Sequence, residues 1–336
     1  MNDKLYIISN ESISYSNKDY FCDNLDLKSI PEALNKKVQV NLIGRRSKKK
    51  RTKQISIENI EISKNIFSYL FLIFKSFKNK KSKYLIISIS PFTFLACVFL
   101  KIFGIKPFLY LRSDGYEEYN AILGFIGKII YHLMFLICTT ISSLISCRKH
   151  ILRQKNGEIV NPSHLNAKWI ENLVTPDLSS PKLLYVGRIR IEKGIFSLIE
   201  ILKNSNISLT IVTSEKGKKI PFTEPEISIV SFENYNDQII KFYDEHNILI
   251  LPSFTEGHPQ VLDEALARKR PVVIFDDISH VTRDRTGIFI SKRNISSLKE
   301  TIENILKNYD VIQKDMNKNK LPTKKKFIEE LERIIF

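Results

Sequence analysis

The stretch LILPSFTEGHPQVLDEALARKRPVV (249–273) decides the fold. An apolar run stops at Pro252, and a polar loop with two breakers, Gly257 and Pro259, follows. A short amphipathic segment comes next, and a second apolar run opens at Pro271. This is strand, loop, helix, strand, the unit from which parallel α/β sheets are built. Pro259 suits the first position of the helix, where its missing N–H is no loss. Val261, Leu262, Ala265 and Leu266 share one helical face, directed toward a core. Two carboxylates stand eight positions apart, Glu256 in the loop and Glu264 at the edge of the apolar stripe. At that edge Glu264 is expected to be partly buried and still to reach the crevice beyond the strand ends.

Outward from this stretch the same alternation continues. Strand candidates are KLYIIS (4–9), KVQVNLIG (37–44), YLIISIS (84–90), FLYLRS (108–113), KLLYVG (182–187), ISLTIVT (207–213), ISIVS (227–231) and NILILP (247–252). Several are continuous Val/Ile/Leu runs, as parallel strands covered on both faces require. Helical patterns such as IFSLIEILK (195–203) and DQIIKFYDE (237–245) fill the gaps. WIENLVTPDLSSPK (169–182) has two prolines, adjacent serines and no periodicity, which predicts a boundary near 162–181. The expected division is an N-terminal α/β domain over 1–165, a C-terminal one over 166–315, and a last helix in 316–336 that packs back on the first. The predicted class is α/β with two Rossmann-like, doubly wound domains.

A second segment, KLLYVGRIRIEKGIFSLIEIL (182–202), has the same build. A strand ends at Gly187, a loop carries Arg188, Arg190 and Lys193, and a helix opens after Gly194. Strand ends in open α/β sheets face the ligand crevice, and a helix N-terminus favours anions. Arg188 and Lys193 there suit a diphosphate. An exposed basic turn reads equally well from this loop alone, as do a loop charge for Glu256 and a helix-surface residue for Glu264. No G-x-G-x-x-G and no P-loop motif occurs.

Taken together, GRIRIEKG (187–194) and PSFTEGHPQVLDEALA (252–267) resemble the donor half of glycosyltransferase family 4. The resemblance covers about 182–275 and is weak before it. It implies the GT-B fold, two Rossmann-like domains facing across a cleft. It implies transfer of a sugar from a nucleotide sugar with retention, without metal or other cofactor. By the resemblance Arg188 and Lys193 bind the donor diphosphate, Glu264 the ribose, and Glu256 the donor sugar. Gly187 ends the phosphate strand; Gly257, His258, Pro259, Gln260 and Val261 line the sugar–phosphate pocket. SFENYND (231–237) would lie near the base. The chain departs from the family pattern at His258 and Gln260, where Phe and Asn are common. It reads ARKRP (267–271) where a glycine usually precedes Lys-Pro, and DDISH (276–280) where a glycine pair is usual. SEKGKK (214–219) and IISNESISYSN (7–17) stand where Gly-rich loops are expected.

In the N-terminal half, FLYLRSDGYEEY (108–119) ends a strand at Arg112 and Asp114. Asp114 there can position an acceptor hydroxyl as a catalytic residue and Arg112 can meet an acceptor phosphate; the competing reading is a helix-capping aspartate. For His258, a hydrogen-bonding loop residue is preferred to a base. No Asp-x-Asp occurs, and Asp276 and Asp277 are adjacent, so cationic neutralisation of the leaving group is expected rather than metal.

The 336 residues suit two domains, and 43% hydrophobic content suits packed ones. Net charge is +16, which implies anionic company. GRRSKKKRTK (44–53) and KSFKNKKSK (75–83) concentrate it. They read either as solvated surface or as a patch for an anionic membrane. A nucleic-acid binder would interleave aromatics for stacking, and 44–53 has none. AILGFIGKIIYHLMFLICTTISSLI (121–145) has three readings: a membrane span, a segment resting on a membrane, or, preferred, a buried helix followed by a strand. The four cysteines form no CxxC pair, and MNDKLYIISN lacks a signal-peptide pattern. The expectation is a cytoplasmic enzyme, peripheral on the inner face of a membrane, with a nucleotide-sugar donor and a glycan or lipid-linked acceptor. A non-catalytic sugar-nucleotide scaffold and a basic nucleic-acid binder are the alternatives.

Overall fold

The computed structural model describes residues 4–78, 81–213, 215, 226–231 and 238–336. The chain divides into two compact units: residues 1–162 with 325–336, and residues 163–324. The boundary at Pro162 falls three residues before the expected 165/166.

The first unit runs β1 (Lys4–Ser16), β2 (Asp19–Cys22), α1 (Leu25–Leu34), β3 (Gln39–Arg46), β4 (Lys53–Ile55), β5 (Asn59–Ser63), α2 (Ile66–Ser76), β6 (Ser82–Ile87), α3 (Pro91–Ile102), β7 (Phe108–Leu111), α4 (Gly115–Ile141), β8 (Ser143–Ser146) and β9 (Glu158–Ile159). Its parallel strands lie in the order β5-β3-β1-β6-β7-β8-β9. Side chains alternate across the sheet: Leu5 and Ile7 enter one core with α1, whereas Ile8 enters another with α2, α3 and α4.

The sheet is not wholly parallel. β1 continues past Ser9 and folds back through Asn17 and Lys18, both at positive φ, into β2, which pairs antiparallel with β1 and β4. The alternation Ser12-Ile13-Ser14-Tyr15-Ser16 is a strand pattern, and it occupies the place where a Gly-rich loop was expected. The basic run 44–53 is engaged in part: Arg45 lies 4.5 Å over the Phe92 ring and Arg51 pairs with Asp23 at 2.6 Å, whereas Arg46 and Lys48 to Lys50 are exposed.

The helix and strand expected over 121–145 are present, but the helix is not buried. Its most apolar window is only 28% inside the protein. Gly124 (φ 62°, ψ −150°) breaks it into two helical pieces.

The second unit runs α5 (Ala167–Ile170), β10 (Lys182–Val186), α6 (Ile195–Leu202), β11 (Ser208–Thr213), β12 (Ile227–Ser231), α7 (Ile239–Glu245), β13 (Ile248–Leu251), α8 (Gln260–Ala267), β14 (Val272–Phe275), β15 (Ile288–Ser291), α9 (Ile295–Lys307) and α10 (Tyr309–Met316). The last helix, α11 (Lys324–Ile335), buries Phe327, Ile328, Leu331 and Ile335 in the core of the first unit. The second sheet is parallel in the order β12-β11-β10-β13-β14-β15. Leu183 and Tyr185 face the core under α6 and α9; Leu184 and Val186 face the core under α7 and α8. The strand order reverses between β10 and β13. In open α/β sheets that switch point, at the carboxyl ends of the strands, is where ligands bind.

ARKRP is where the expected linker is fastened. Arg268 and Arg270 are buried, and the Arg268 guanidinium donates to the carbonyls of Glu171 (2.7 Å) and Asn172 (2.8 Å) and to both oxygens of Asp244 (2.9 Å each). Arg270 donates to the carbonyls of Val174 (2.8 Å) and Tyr243 (2.9 Å). Lys269 between them is left-handed (φ 56°), the conformation glycine adopts without strain after a helix.

Candidate active site

The loop after β10 and the loop after β13 meet at the switch point. Gly194 is left-handed (φ 67°), and a Cβ on it would lie 1.8 Å from the Pro252 carbonyl oxygen. Only glycine permits this approach, so it fixes one loop against the other. The Phe254 N–H donates to the Glu192 carbonyl (3.0 Å), tying them again.

Lys193 and Glu256 face each other across this junction. The Lys193 ammonium lies 2.6 Å from Glu256 Oε1, which also accepts from Ser253 Oγ at 2.7 Å. Glu256 is nearly closed in, with its side chain 9% exposed against 24% for Lys193. The rest of the loop is braced from neighbouring elements. Arg293, beyond β15, donates to the carbonyls of Pro252 (3.0 Å) and Ser253 (3.4 Å) and pairs with Asp277 at 2.6 Å. Its guanidinium lies between the rings of Phe254 (4.1 Å) and Phe275 (4.3 Å). His280 Nε2 donates to the Glu256 carbonyl at 2.8 Å. Asp277 and His280 belong to DDISH, so the segment that departs from the family pattern holds the Glu256 loop.

The β10 loop is set by two further groups. Glu215 accepts from the Ile189 N–H (2.8 Å) and lies 3.5 Å from Arg190. Arg190 thus pairs with Glu215 while remaining half-exposed. Gly187 is where the Tyr185 ring approaches, its hydroxyl 2.8 Å from an added Cβ. Tyr185 donates to the Arg188 carbonyl at 2.7 Å. Burial, together with the Glu256 charge, pushes the Tyr185 phenol above its ordinary value, so it remains a donor. The Arg188 side chain is exposed and makes no hydrogen bond or ion pair to any described residue. Neither α6 nor α8, both of which start here, has a side-chain cap. An anion is suited to such helix starts.

Two expectations in α8, for Pro259 and Glu264, need correction. Pro259 is the capping residue, with non-helical ψ of 105°, and Gln260 opens the helix. His258 is held between Arg283 (3.1 Å) and Asp263 (3.4 Å), the hydrogen-bonding role that was preferred to a base. Glu264 is not at a half-open edge but 1% exposed, accepting from Tyr243 O–H at 2.7 Å. The cause is packing: Leu262 to Ala267 are all buried, because α8 is covered by α5 and the strands. Val261 is half-buried against the same core.

Gly257 differs from Gly194. A Cβ placed on it meets nothing within 4 Å, and its φ is not left-handed. The fold does not need glycine there. Gly257→Ala is expected to leave the melting temperature of the ligand-free protein unchanged and to weaken a bound nucleotide sugar several-fold. Calorimetric titration beside a thermal melt checks both.

In the first unit, Asp114 caps α4, accepting from the Tyr116 N–H (3.0 Å), and pairs with Arg153 at 2.7 Å. Arg112 donates to Asn24 (2.6 Å) and Asp26 (3.2 Å). Burial works against its charge, but Asp26 and Glu11 hold it above the ordinary value. Both groups are engaged by the fold, and the acceptor reading gains no support from their geometry. Residues 232–237 of SFENYND, and SEKGKK apart from Glu215, lie outside the described residues.

Arg293 was not singled out in the sequence, and Asp277, His280, Ser253 and Glu215 lay within quoted stretches without these bracing roles. Sheet order brings them together. Among the described residues no three His, Cys, Asp or Glu side chains gather as ligands of a metal would.

Residues 174–321 match the sequence family described as Glycosyl transferases group 1. The chain is 31% identical over 121 residues to a putative teichuronic acid biosynthesis glycosyltransferase, TuaC, of Bacillus subtilis; the match spans 35% of this chain and 31% of that protein. It is 29% identical over 136 residues to the capsular polysaccharide biosynthesis glycosyltransferase CapM of Staphylococcus aureus, spanning 36% of each. The matched part is thus about a third of these relatives' length. Among solved structures, HepE of Anabaena, in complex with UDP-glucose, superimposes with a TM-score of 0.69 at 10% identity, covering 98% of both chains. At that identity the likeness establishes the fold alone, and the fold is GT-B.

Proposed function

We propose that the chain is a glycosyltransferase that moves a hexose-like unit from a UDP- or GDP-sugar to a glycan or lipid-linked glycan, with retention, in the assembly of a cell-surface polysaccharide. One observation carries this reading: Lys193 and Glu256 form a braced cation–carboxylate pair at the carboxyl ends of β10 and β13, the switch point of the sheet. The names of the matched relatives and the UDP-glucose of HepE support the substrate class.

In this reading the acceptor hydroxyl attacks the anomeric carbon on the face from which the nucleoside diphosphate departs. The bond from that carbon to the diphosphate oxygen breaks, and charge grows on the diphosphate. Arg188 and Lys193 neutralise it, so no metal is invoked. Glu256 takes hydroxyls of the donor sugar. Glu264 takes the ribose, its carboxylate positioned by the Tyr243 hydroxyl. The four cysteines are free thiols, which suits the cytoplasm, where nucleotide sugars would be the donor pool.

A thermal-shift panel of UDP-, GDP- and ADP-sugars tests the reading. A true donor at about 100 times its Kd adds roughly 2.7 kcal/mol. No stabilisation by any of them overturns it.

A further inference from the structure

We propose that the outer face of α2, α3 and α4 is a docking surface for an anionic lipid bilayer, on which the first unit rests without crossing it. The three helices lie on the same side of their sheet, with α3 packed against both neighbours. A helix in that position ordinarily turns polar residues outward. Here α2 turns out Phe67, Phe71 and Phe74, at spacings of four and three, with Phe67 82% exposed. α4 turns out Phe125, Ile126, Ile129, Leu133 and Ile137, with Phe125 75% and Ile126 66% exposed. α3 ends on exposed Ile102, followed by Phe103, whose ring packs with Phe74, Phe77 and Phe99 and joins the helix ends into one apolar surface. A water-facing surface does not keep so many large apolar groups side by side.

The occupant is identified by charge. No Asp or Glu occurs from Ile62 to Ser113, nor from Tyr119 to Gly157. Exposed Lys75, Lys78, Lys101, Lys106 and Lys128 lie on or just beyond these helices. Lys75 Nζ sits 4.8 Å over the Phe71 ring, a charged head on an apolar stem beside an exposed aromatic. Aromatic and aliphatic groups rimmed by lysines match the interface of an anionic membrane. A second copy of the chain would set lysines against lysines, since the carboxylates of this face, Glu117 and Glu118, are confined to the first turn of α4.

The helix α4 is long and apolar enough to cross a membrane, but its other face is committed. Tyr131, Met134, Phe135 and Cys138 are buried in the core, and a Cβ on Gly127 would lie 2.1 Å from the Tyr119 carbonyl oxygen. Insertion across the bilayer would strip those side chains from the core, whereas lying in the interface leaves them in place.

Sedimentation of the full chain with vesicles tests this. The protein is expected to partition onto phosphatidylcholine–phosphatidylglycerol vesicles, less onto phosphatidylcholine alone, and less as salt rises. The double variant Ile126→Asp/Leu133→Asp alters only exposed positions. It should partition at least about tenfold less with an unchanged melting temperature. Lys75→Glu/Lys101→Glu, which leaves the apolar surface intact, should bind the mixed vesicles no better than neutral ones; it decides the matter if the first variant fails to fold. The proposal is overturned if the wild type does not partition, or if neither variant lowers partitioning. It is also overturned if light scattering shows a dimer that Ile126→Asp/Leu133→Asp dissolves while vesicles bind nothing.

Discussion

Replacing Lys193 with alanine is expected to lower kcat for sugar transfer, or for donor hydrolysis, by about 10²–10³-fold, while the ligand-free protein melts almost where the wild type does. The large term comes from the transition state. A diphosphate leaving a sugar carbon acquires charge that a fixed cation stabilises more than it stabilises the ground state. Lys193 is fixed before any donor arrives: Glu256 holds its ammonium at 2.6 Å, and Glu256 is itself held by Ser253. The small term comes from the fold. The pair is partly solvated at the lysine end, and Glu256 keeps the Ser253 hydroxyl when the cation is removed. Glu256→Gln separates the two roles, because it keeps a hydrogen-bonding oxygen for Ser253 and removes the charge that aims Lys193. It should raise KM for the donor as well as lower kcat. Equal activity in Lys193→Ala and wild type would remove Lys193 from the mechanism. Loss of activity together with a large drop in melting temperature would make the pair structural.

The two stretches that suggested this site were legible because each carries a whole strand, loop and helix in local sequence. Periodicity placed β10, β13, α6 and α8 to within a residue or two. What the sequence did not show depends on elements distant along the chain. Arg293 is 37 residues beyond Glu256, as their numbers give, and the parallel order β13-β14-β15 alone brings it to Pro252 and Ser253. The burial of Glu264 was hidden for a related reason. An amphipathic pattern reports one apolar face, and α8 is covered on its polar side as well, so its carboxylates needed internal partners such as Tyr243. α4 shows the converse: an apolar run predicts burial, yet one apolar face of this helix is outside. The hairpin β1–β2 lay outside the expected strands because Ser12 to Ser16 alternate as a half-exposed antiparallel strand does, beyond the continuous apolar run of the buried parallel part.

Arg268→Ala is expected to destabilise the second unit by about 3–5 kcal/mol, which would lower its melting temperature by roughly 10 °C. The guanidinium is 2% exposed and donates to both oxygens of Asp244. It also donates to the carbonyls of Glu171 and Asn172. Alanine would leave the Asp244 carboxylate with only the more distant Arg270 (3.8 Å) and two carbonyls without their donor, besides a cavity the size of the side chain. Partly shielded groups left without their donor cost more than the bonds were worth. The segment released is the one that read as a loose linker. With it goes the support under α7, since Asp244 lies on α7 and Arg270 donates to the Tyr243 carbonyl one residue away. Tyr243 is the partner of Glu264, so the loss should reach the site. Arg268→Lys distinguishes charge from geometry: an ammonium keeps the charge beside Asp244 but cannot reach the carboxylate and both carbonyls together, and it should recover less than half of the loss. Chemical denaturation followed by circular dichroism, with and without a stabilising nucleotide sugar, measures both. A lysine variant as stable as the wild type would mean that charge alone fastens the segment; an alanine variant as stable would mean that nothing there is fastened by Arg268.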